Sequence, residues 1–387
     1  MPLKELISTA CSLRASDLHL EAGTPLVVRV KGELLSVGET IPGEQLIQIG
    51  KDLLGIDGWN QFVARGSADV SVRLCGTQCR INLFRTVRGI ALAVRLLTSS
   101  VDGLRACNLH PDLRKLIEAR TGLVVVSGPT GSGKSTTLAA LISEINSVTA
   151  RHIITIESPL EYVFTNRRSY IRQREIPTHS PSFEQAIIDA LRENPDVLVI
   201  TEMRTPEVMR LTLNAAETGQ LVLATMHSAS CAEALSRISM AFSAEIQGSI
   251  LAQLADCLVG VVCQRLEFLA EHQLRVPHCE VLMASSAAKG TIRAGQFSQL
   301  ATVIQSGAEH GMWSFDRYQR WMAQKRDWER PSLAAVISED RAAAVVPVAT
   351  AIPKIRTPPK EASFEIAIDE EEIDLAELAK KIDAKTR

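Results

Sequence analysis

The sequence predicts an α/β protein, a parallel sheet covered by helices on both faces, preceded by a smaller α+β domain. Three observations predict it. Between about residues 113 and 265, apolar strand-like runs at 122–127, 152–157, 196–201 and 221–227 alternate with helical ones, the pattern of a sheet buried on both sides. The first of those runs leads through a glycine-rich turn directly into a helix. Residues 1 to about 105 carry short alternating segments broken by turn signals, as in a small α+β domain.

Within the first 105 residues, helices are expected at about 3–14 and 43–55. Residues 26–30 read as a strand entering a hairpin at Lys31-Gly32. Residues 69–74 and 79–84 read as two more strands with Gly76 in the turn between them, and 91–97 makes a fourth. A linker follows at 106–112, overlapping the turn-rich stretch 102–111. The larger domain spans 113–330, and its last part, from 266 to about 330, reads as further helices. Beyond it, 342–359 is rich in Ala, Val and Pro and suits a flexible linker. The segment 363–387 holds eight acidic and four basic side chains. Leu375, Leu378 and Ile382 fall there at helical spacing, so a short amphipathic helix competes with a solvated tail.

Composition narrows the function classes. Hydrophobic residues make up 46% and charged residues 22% of the 387 residues, the balance of an ordinary soluble protein with room for two cores. The net charge of −2 supplies no global positive field, so nucleic acid is not an expected partner. No apolar signal core opens the chain, and no run of about eighteen apolar residues exists to cross a bilayer. A cytoplasmic location is therefore expected. None of the eight cysteines forms a Cys-x-x-Cys pair, which argues against a tetracysteine zinc site. Buried reduced thiols are the plain reading, and His278-Cys279 with Cys263 is a weak metal alternative.

The turn after the first strand carries the strongest chemical signal. Gly128-Pro129-Thr130-Gly131-Ser132-Gly133-Lys134-Ser135-Thr136 has the spacing of a phosphate-binding P-loop. Its glycines let successive backbone N–H groups turn toward phosphate oxygens at a helix N-terminus. Lys134 adds a positive charge at the β and γ phosphates, and the Ser135 hydroxyl completes a Mg²⁺ shell. Strand, glycine turn and helix in that order predict binding of a nucleoside triphosphate, with ATP and Mg²⁺ as the expected cofactors.

Hydrolysis further requires a metal holder, a carboxylate to activate water and positive charge at the γ-phosphate. Glu202 ends an apolar strand in the Walker B manner. Glu157 ends the strand at 152–157 and is the second acid. His227 ends the strand at 221–227, where it either hydrogen-bonds a γ-phosphate or is a structurally satisfied histidine. In parallel sheets ligands bind beyond the carboxyl ends of the strands, so these groups converge on one edge with the P-loop.

Read together, the motifs resemble those of type IV pilus retraction ATPases, the PilT-like branch of the secretion ATPase superfamily. The similarity runs to about residue 320. It is carried by Ser16-Asp17-Leu18-His19-Leu20, the P-loop, Ile154-Thr155-Ile156-Glu157 with Pro159 and Glu161, and Gln173-Arg174-Glu175. It continues through 190–196, Glu202-Met203-Arg204, 215–219, Thr225-Met226-His227, Gln264-Arg265-Leu266 and 304–307 with Gly311-Met312. The resemblance implies a PAS-like N-terminal domain, a RecA-like P-loop ATPase domain and a homohexameric ring. It implies that Glu157 activates water, that Glu202 organises Mg²⁺ and that His227 senses the nucleotide. It also implies that Arg80 and Arg95 reach the nucleotide of a ring neighbour. The implied work is retraction of a pilus through an inner-membrane platform protein, alongside a paralogous pilus ATPase.

Several positions depart from the family pattern. Ser158 replaces an Asp beside Glu157, Thr201 replaces a Gly before Glu202, and Thr205 replaces the Asp after Met203-Arg204. Gln220 replaces a His, Lys31 stands where an Asp begins the hairpin, and the family's retraction-associated helix survives partly at 287–293. Extension motors of the superfamily carry a further N-terminal domain and a tetracysteine insert, neither of which is present in this sequence. The expected function is thus an ATP-hydrolysing retraction motor. Its rivals are a weakly hydrolysing accessory subunit and an assembly, type II secretion or conjugation ATPase.

Overall fold

Alternation of inward and outward side chains organises the first hundred residues of the computed structural model, which describes residues 3–30, 32–99 and 101–330. The departure at Lys31 and the segments read beyond residue 330 lie outside the described residues. Helix α1 (Leu3–Ser12) is followed by strands β1 (Asp17–Glu21), β2 (Pro25–Val30) and β3 (Glu33–Thr40). Helix α2 (Gly43–Arg65) and strands β4 (Ser67–Leu74), β5 (Thr77–Thr86) and β6 (Gly89–Leu96) follow. The six strands form one antiparallel sheet in the order β3-β2-β1-β6-β5-β4. Leu18, Leu20, Ile81, Leu83, Leu92 and Val94 turn inward against Leu6, Ile7, Leu46, Ile49 and Phe62 of the helices.

This sheet has six strands where the sequence suggested four. Strand β3 escapes a period-two reading because its side chains are almost all exposed, so no buried face imposes alternation. The helix expected at 43–55 does break at Gly55, whose φ of 66° is left-handed, but a second helical run carries on to Arg65. Cys75 and Gly76, both with positive φ, make the tight β4–β5 turn, as paired left-handed residues do in two-residue hairpins.

The connection to the second core is packed. A two-residue strand β7 (Thr98–Ser99), helix α3 (Gly103–Ala106), a 3-10 turn (Pro111–Arg114) and helix α4 (Lys115–Glu118) follow one another. Leu104, Leu109, Leu113 and Leu116 of this stretch are buried in the larger core, although it reads as a linker in the sequence.

From there strands and helices alternate: β8 (Gly122–Ser127), α5 (Lys134–Val148), β9 (His152–Glu157), β10 (Tyr162–Val163), β11 (Tyr170–Glu175), α6 (Phe183–Leu191), β12 (Val197–Ile200), α7 (Pro206–Glu217), β13 (Leu221–Met226), α8 (Cys231–Met240) and α9 (Ala244–Cys257). The chain then makes β14 (Leu258–Leu269), β15 (Leu274–Met283), α10 (Ser286–Arg293), α11 (Leu300–Ser306) and α12 (Phe315–Gln324). The large sheet runs β11-β9-β12-β13-β8-β14-β15. All pairings are parallel except β14 with β15. Every residue of β8, β12 and β13 is buried, as central strands covered on both faces require.

One expectation is corrected here. Residues 266–283 are not helical; they complete the β14–β15 hairpin, which adds two strands beside the P-loop strand. Short apolar runs such as 258–263 fit a buried strand and a buried helix equally well in sequence. Pairing with β8, which no local pattern reports, decides for the strand.

Candidate active site

The P-loop leaves β8 and enters α5, and its shape depends on where glycine stands. Gly128, Gly131 and Gly133 all have positive φ. A Cβ on Gly128 would lie 2.2 Å from the Gln264 carbonyl oxygen, and one on Gly133 would lie 2.8 Å from Gln264 Nε2. Gln264, on β14 and only 2% exposed, clamps the loop from beneath. Its amide donates to the Ser132 carbonyl at 2.7 Å and its oxygen accepts from Thr137 Oγ1 at 2.6 Å. The sequence signals Gln264 only as one letter of a family motif. Its partner lies 132 residues away, beyond any local pattern.

The loop walls a cavity of about 500 Å³. Around it stand Lys134, Ser135, Glu157, Ser158, Glu202 and His227, with Thr130, Gly131, Gly133 and Thr136 also on the lining. Gly128, Pro129 and Ser132 sit behind this lining. Lys134 Nζ donates to the carbonyls of Gly128 and Pro129, each at 2.9 Å. The amino terminus of α5 faces the same space, which favours negative charge there.

Glu157 is 6% exposed. Its Oε1 accepts from Thr155 Oγ1 at 2.6 Å and from Gln173 Nε2 at 3.1 Å. Burial raises the carboxyl to about 7, against those two hydrogen bonds, which favour the ionised form. A carboxyl poised there exchanges a proton near neutral pH, as a general base must. Glu202, two residues past β12, pairs with Arg204 at 2.6 Å. Burial raises its pKa while Arg204 opposes the rise. Burial and then the positive charges of Lys134, Arg204 and Arg237 lower His227, which favours its neutral form. Burial also lowers Lys134, with Glu161 acting the other way.

The structure therefore brings Lys134, Ser135, Glu157, Glu202 and His227 to one cavity. It does not bring Arg80 or Arg95 there within the single chain. The two face each other across β5 and β6, and Arg95 Nε bonds Asp17 Oδ1 at 2.9 Å. Ser158 lines the cavity and donates to the Ile176 carbonyl at 3.2 Å. Gln220 precedes β13, and six strand residues separate it from His227, roughly 20 Å at the usual rise. Its replacement is thus remote from the chemistry. Cys263 and Cys279 are thiols pushed up to about 12 by burial, and His278 Nε2 is held 2.7 Å from the Phe315 carbonyl oxygen. No cluster of three or more His, Cys, Asp or Glu side chains placed to hold a metal ion occurs among the described residues.

Ser135 and Glu202 offer hard oxygen donors on one wall, the ligand chemistry Mg²⁺ takes. A P-loop on a parallel sheet, with acids at the ends of two neighbouring strands, defines a P-loop ATPase. The chain belongs to the type II/IV secretion system protein family, whose model matches residues 2–306. It is 37% identical over 329 residues to the uncharacterized protein YggR of Escherichia coli K12, covering 84% of this chain and 100% of that one. It is 41% identical over 316 residues to the twitching motility protein of Neisseria gonorrhoeae, covering 79% and 84%. The crystal structure of the pilus retraction motor PilT with bound ADP superposes with a TM-score of 0.74 at 31% identity, over 83% of this chain and 96% of that one. The α/β architecture expected from the sequence is the one this relative shares. Among the described residues no helix is long and apolar enough to cross a membrane.

Proposed function

We propose that the chain is the ATP-hydrolysing subunit of a homohexameric motor that retracts and disassembles a type IV pilus, acting through a platform protein of the inner membrane. The observation that carries this reading is the buried Glu157 carboxyl, poised near neutrality, on the wall of the P-loop cavity. Likeness to a retraction motor and to a twitching motility protein over about four-fifths of the chain supports the direction of work.

In this reading the loop N–H groups hold the triphosphate, and Lys134 exchanges its two carbonyl partners for phosphate oxygens. Glu157 accepts the proton of the attacking water. Ser135 and Glu202 would hold Mg²⁺, which when bound would supply positive charge against the triphosphate. His227 hydrogen-bonds at the γ-phosphate. Arg80 and Arg95, outward on the N-terminal sheet, reach the cavity of a neighbouring subunit, so that hydrolysis there is coupled to rigid-body displacement.

Steady-state phosphate release, with Lys134→Ala as the blank, tests the enzyme. Turnover no greater than that blank would favour a regulatory subunit, for which Ser158 on the cavity wall is the motive. Deleting the gene in the source organism tests the direction: excess, non-retracting filaments are expected, and bald cells would mean extension. The arginines give a separate expectation. Arg80→Ala and Arg95→Ala rings are inactive alone, and mixing either with Lys134→Ala subunits partly restores turnover, because an intact site then forms between two chains. Failure of rescue at every mixing ratio would assign the arginines another task.

A further inference from the structure

Two connections run from the N-terminal sheet to the segment 158–164, which forms one wall of the cavity through Ser158, Pro159, Glu161, Tyr162 and Phe164. The first is made by side chains. Glu175, at the end of β11 and 5% exposed, accepts on a single oxygen from Ser71 Oγ of β4 at 2.9 Å and from the Leu160 N–H at 3.2 Å. The second is made by backbone. Thr98 and Ser99, just past β6, pair in parallel with Tyr162 and Val163. The wall is thus held from the N-terminal side at two independent points.

The same wall is tied to the catalytic carboxyl. Gln173 stands two residues before Glu175 on β11, so both side chains leave the same face of the strand. Gln173 Nε2 donates to the Tyr162 carbonyl at 2.8 Å and to Glu157 Oε1 at 3.1 Å. Its own Oε1 accepts from the Phe164 N–H at 2.9 Å. No local signal in the sequence reports this arrangement, because the partners lie on separate segments 9, 11 and 16 residues apart.

We infer that segment 158–164 transmits the position of the N-terminal sheet to Glu157, with Glu175 and Gln173 as positioning residues for hydrolysis. Displacing β4 pulls on Glu175 and so on Leu160, and displacing β7 pulls on Tyr162. Either movement shifts the groups that Gln173 holds in register with Glu157. The orientation of the carboxyl then depends on the N-terminal sheet, although no residue of that sheet lines the cavity of its own chain. This inference rests on the proposed role of Glu157, but its first readout does not.

The experiment uses the full-length protein. Ser71→Ala removes one hydroxyl from a half-buried strand position, Ser71→Thr restores it, and Gln173→Met removes the amide at similar size. Hydrogen exchange at the amides of 160–164 is expected to speed up in Ser71→Ala and Gln173→Met and to return to normal in Ser71→Thr. In Ser71→Ala, kcat falls about tenfold with KM for ATP within about twofold, the result of losing one hydrogen bond to a carboxylate that positions the wall. In Gln173→Met the acid limb of the kcat–pH profile moves to higher pH, because a donor favouring the ionised carboxylate is gone. A purely structural role would leave that limb in place. Unchanged exchange and kcat in Ser71→Ala would overturn the inference. Faster exchange in Ser71→Ala together with full turnover in Glu157→Gln would leave the mechanical link standing and remove Glu157 from the chemistry.

Discussion

Replacing Glu157 by Gln is expected to lower kcat by about a thousandfold while leaving nucleotide affinity within a few-fold. The amide oxygen still accepts from Thr155 and Gln173, so the geometry of the wall survives and only the proton acceptor is lost. The wild-type profile follows from the same burial. A base that titrates at about 7 must be ionised to work, so turnover falls about tenfold for each pH unit below that value. Stability moves in the opposite sense. The folded carboxyl is raised above its ordinary 4.5, so its contribution is fully present below the unfolded value and disappears as pH rises through about 7. The interval between the two values corresponds to about 3 kcal/mol. Glu157→Gln is therefore more stable than wild type at pH 8 by up to about 3 kcal/mol and equal to it near pH 4.5. Melting curves at the two pH values check the sign, and a variant less stable at pH 8 would contradict the burial account.

Gly128→Ala is expected to weaken nucleotide binding more than about a hundredfold and to destabilise the fold by about 3 kcal/mol. The added Cβ would meet a main-chain oxygen at 2.2 Å and Ser132 Oγ at 2.5 Å, at a φ of 151° that side chains rarely adopt. The obstructing oxygen belongs to a central strand and cannot move away cheaply. Gly131 is the control. It also has positive φ, but nothing lies within 4 Å of its Cβ position. Gly131→Ala therefore costs only about 1–2 kcal/mol of left-handed backbone. Equilibrium binding of a fluorescent nucleotide to both variants separates the two cases, and near-normal affinity in Gly128→Ala would show that the loop is not held against β14 as described.

Legibility in the sequence followed burial in the large sheet but not at β1, which was too short to register although Leu18 and Leu20 alternate inward. Strands β8, β9, β12 and β13 were visible because central parallel strands are unbroken apolar runs with polar ends, and those ends name Glu157, Glu202 and His227 directly. The P-loop was visible because its glycines, lysine and serine form one contiguous motif at fixed spacing. Strand β3 was not, since solvent on its side chains removes the alternation that marks a strand. The hairpin of β14 and β15 was misread because its partner strand lies more than a hundred residues earlier. Gln173, Glu175 and Gln264 stood in recognisable motifs, yet a motif does not say which distant backbone group an amide or carboxylate will face.

Gln264 has a thermodynamic consequence. By gripping Ser132 and Thr137, it holds the loop backbone in shape before any ligand arrives, while Lys134 must first give up two carbonyls of its own loop. A ligand that enters it has little chain entropy to quench. Favourable free energy released on contact is then not consumed in ordering the loop and remains available for the displacement between subunits proposed above.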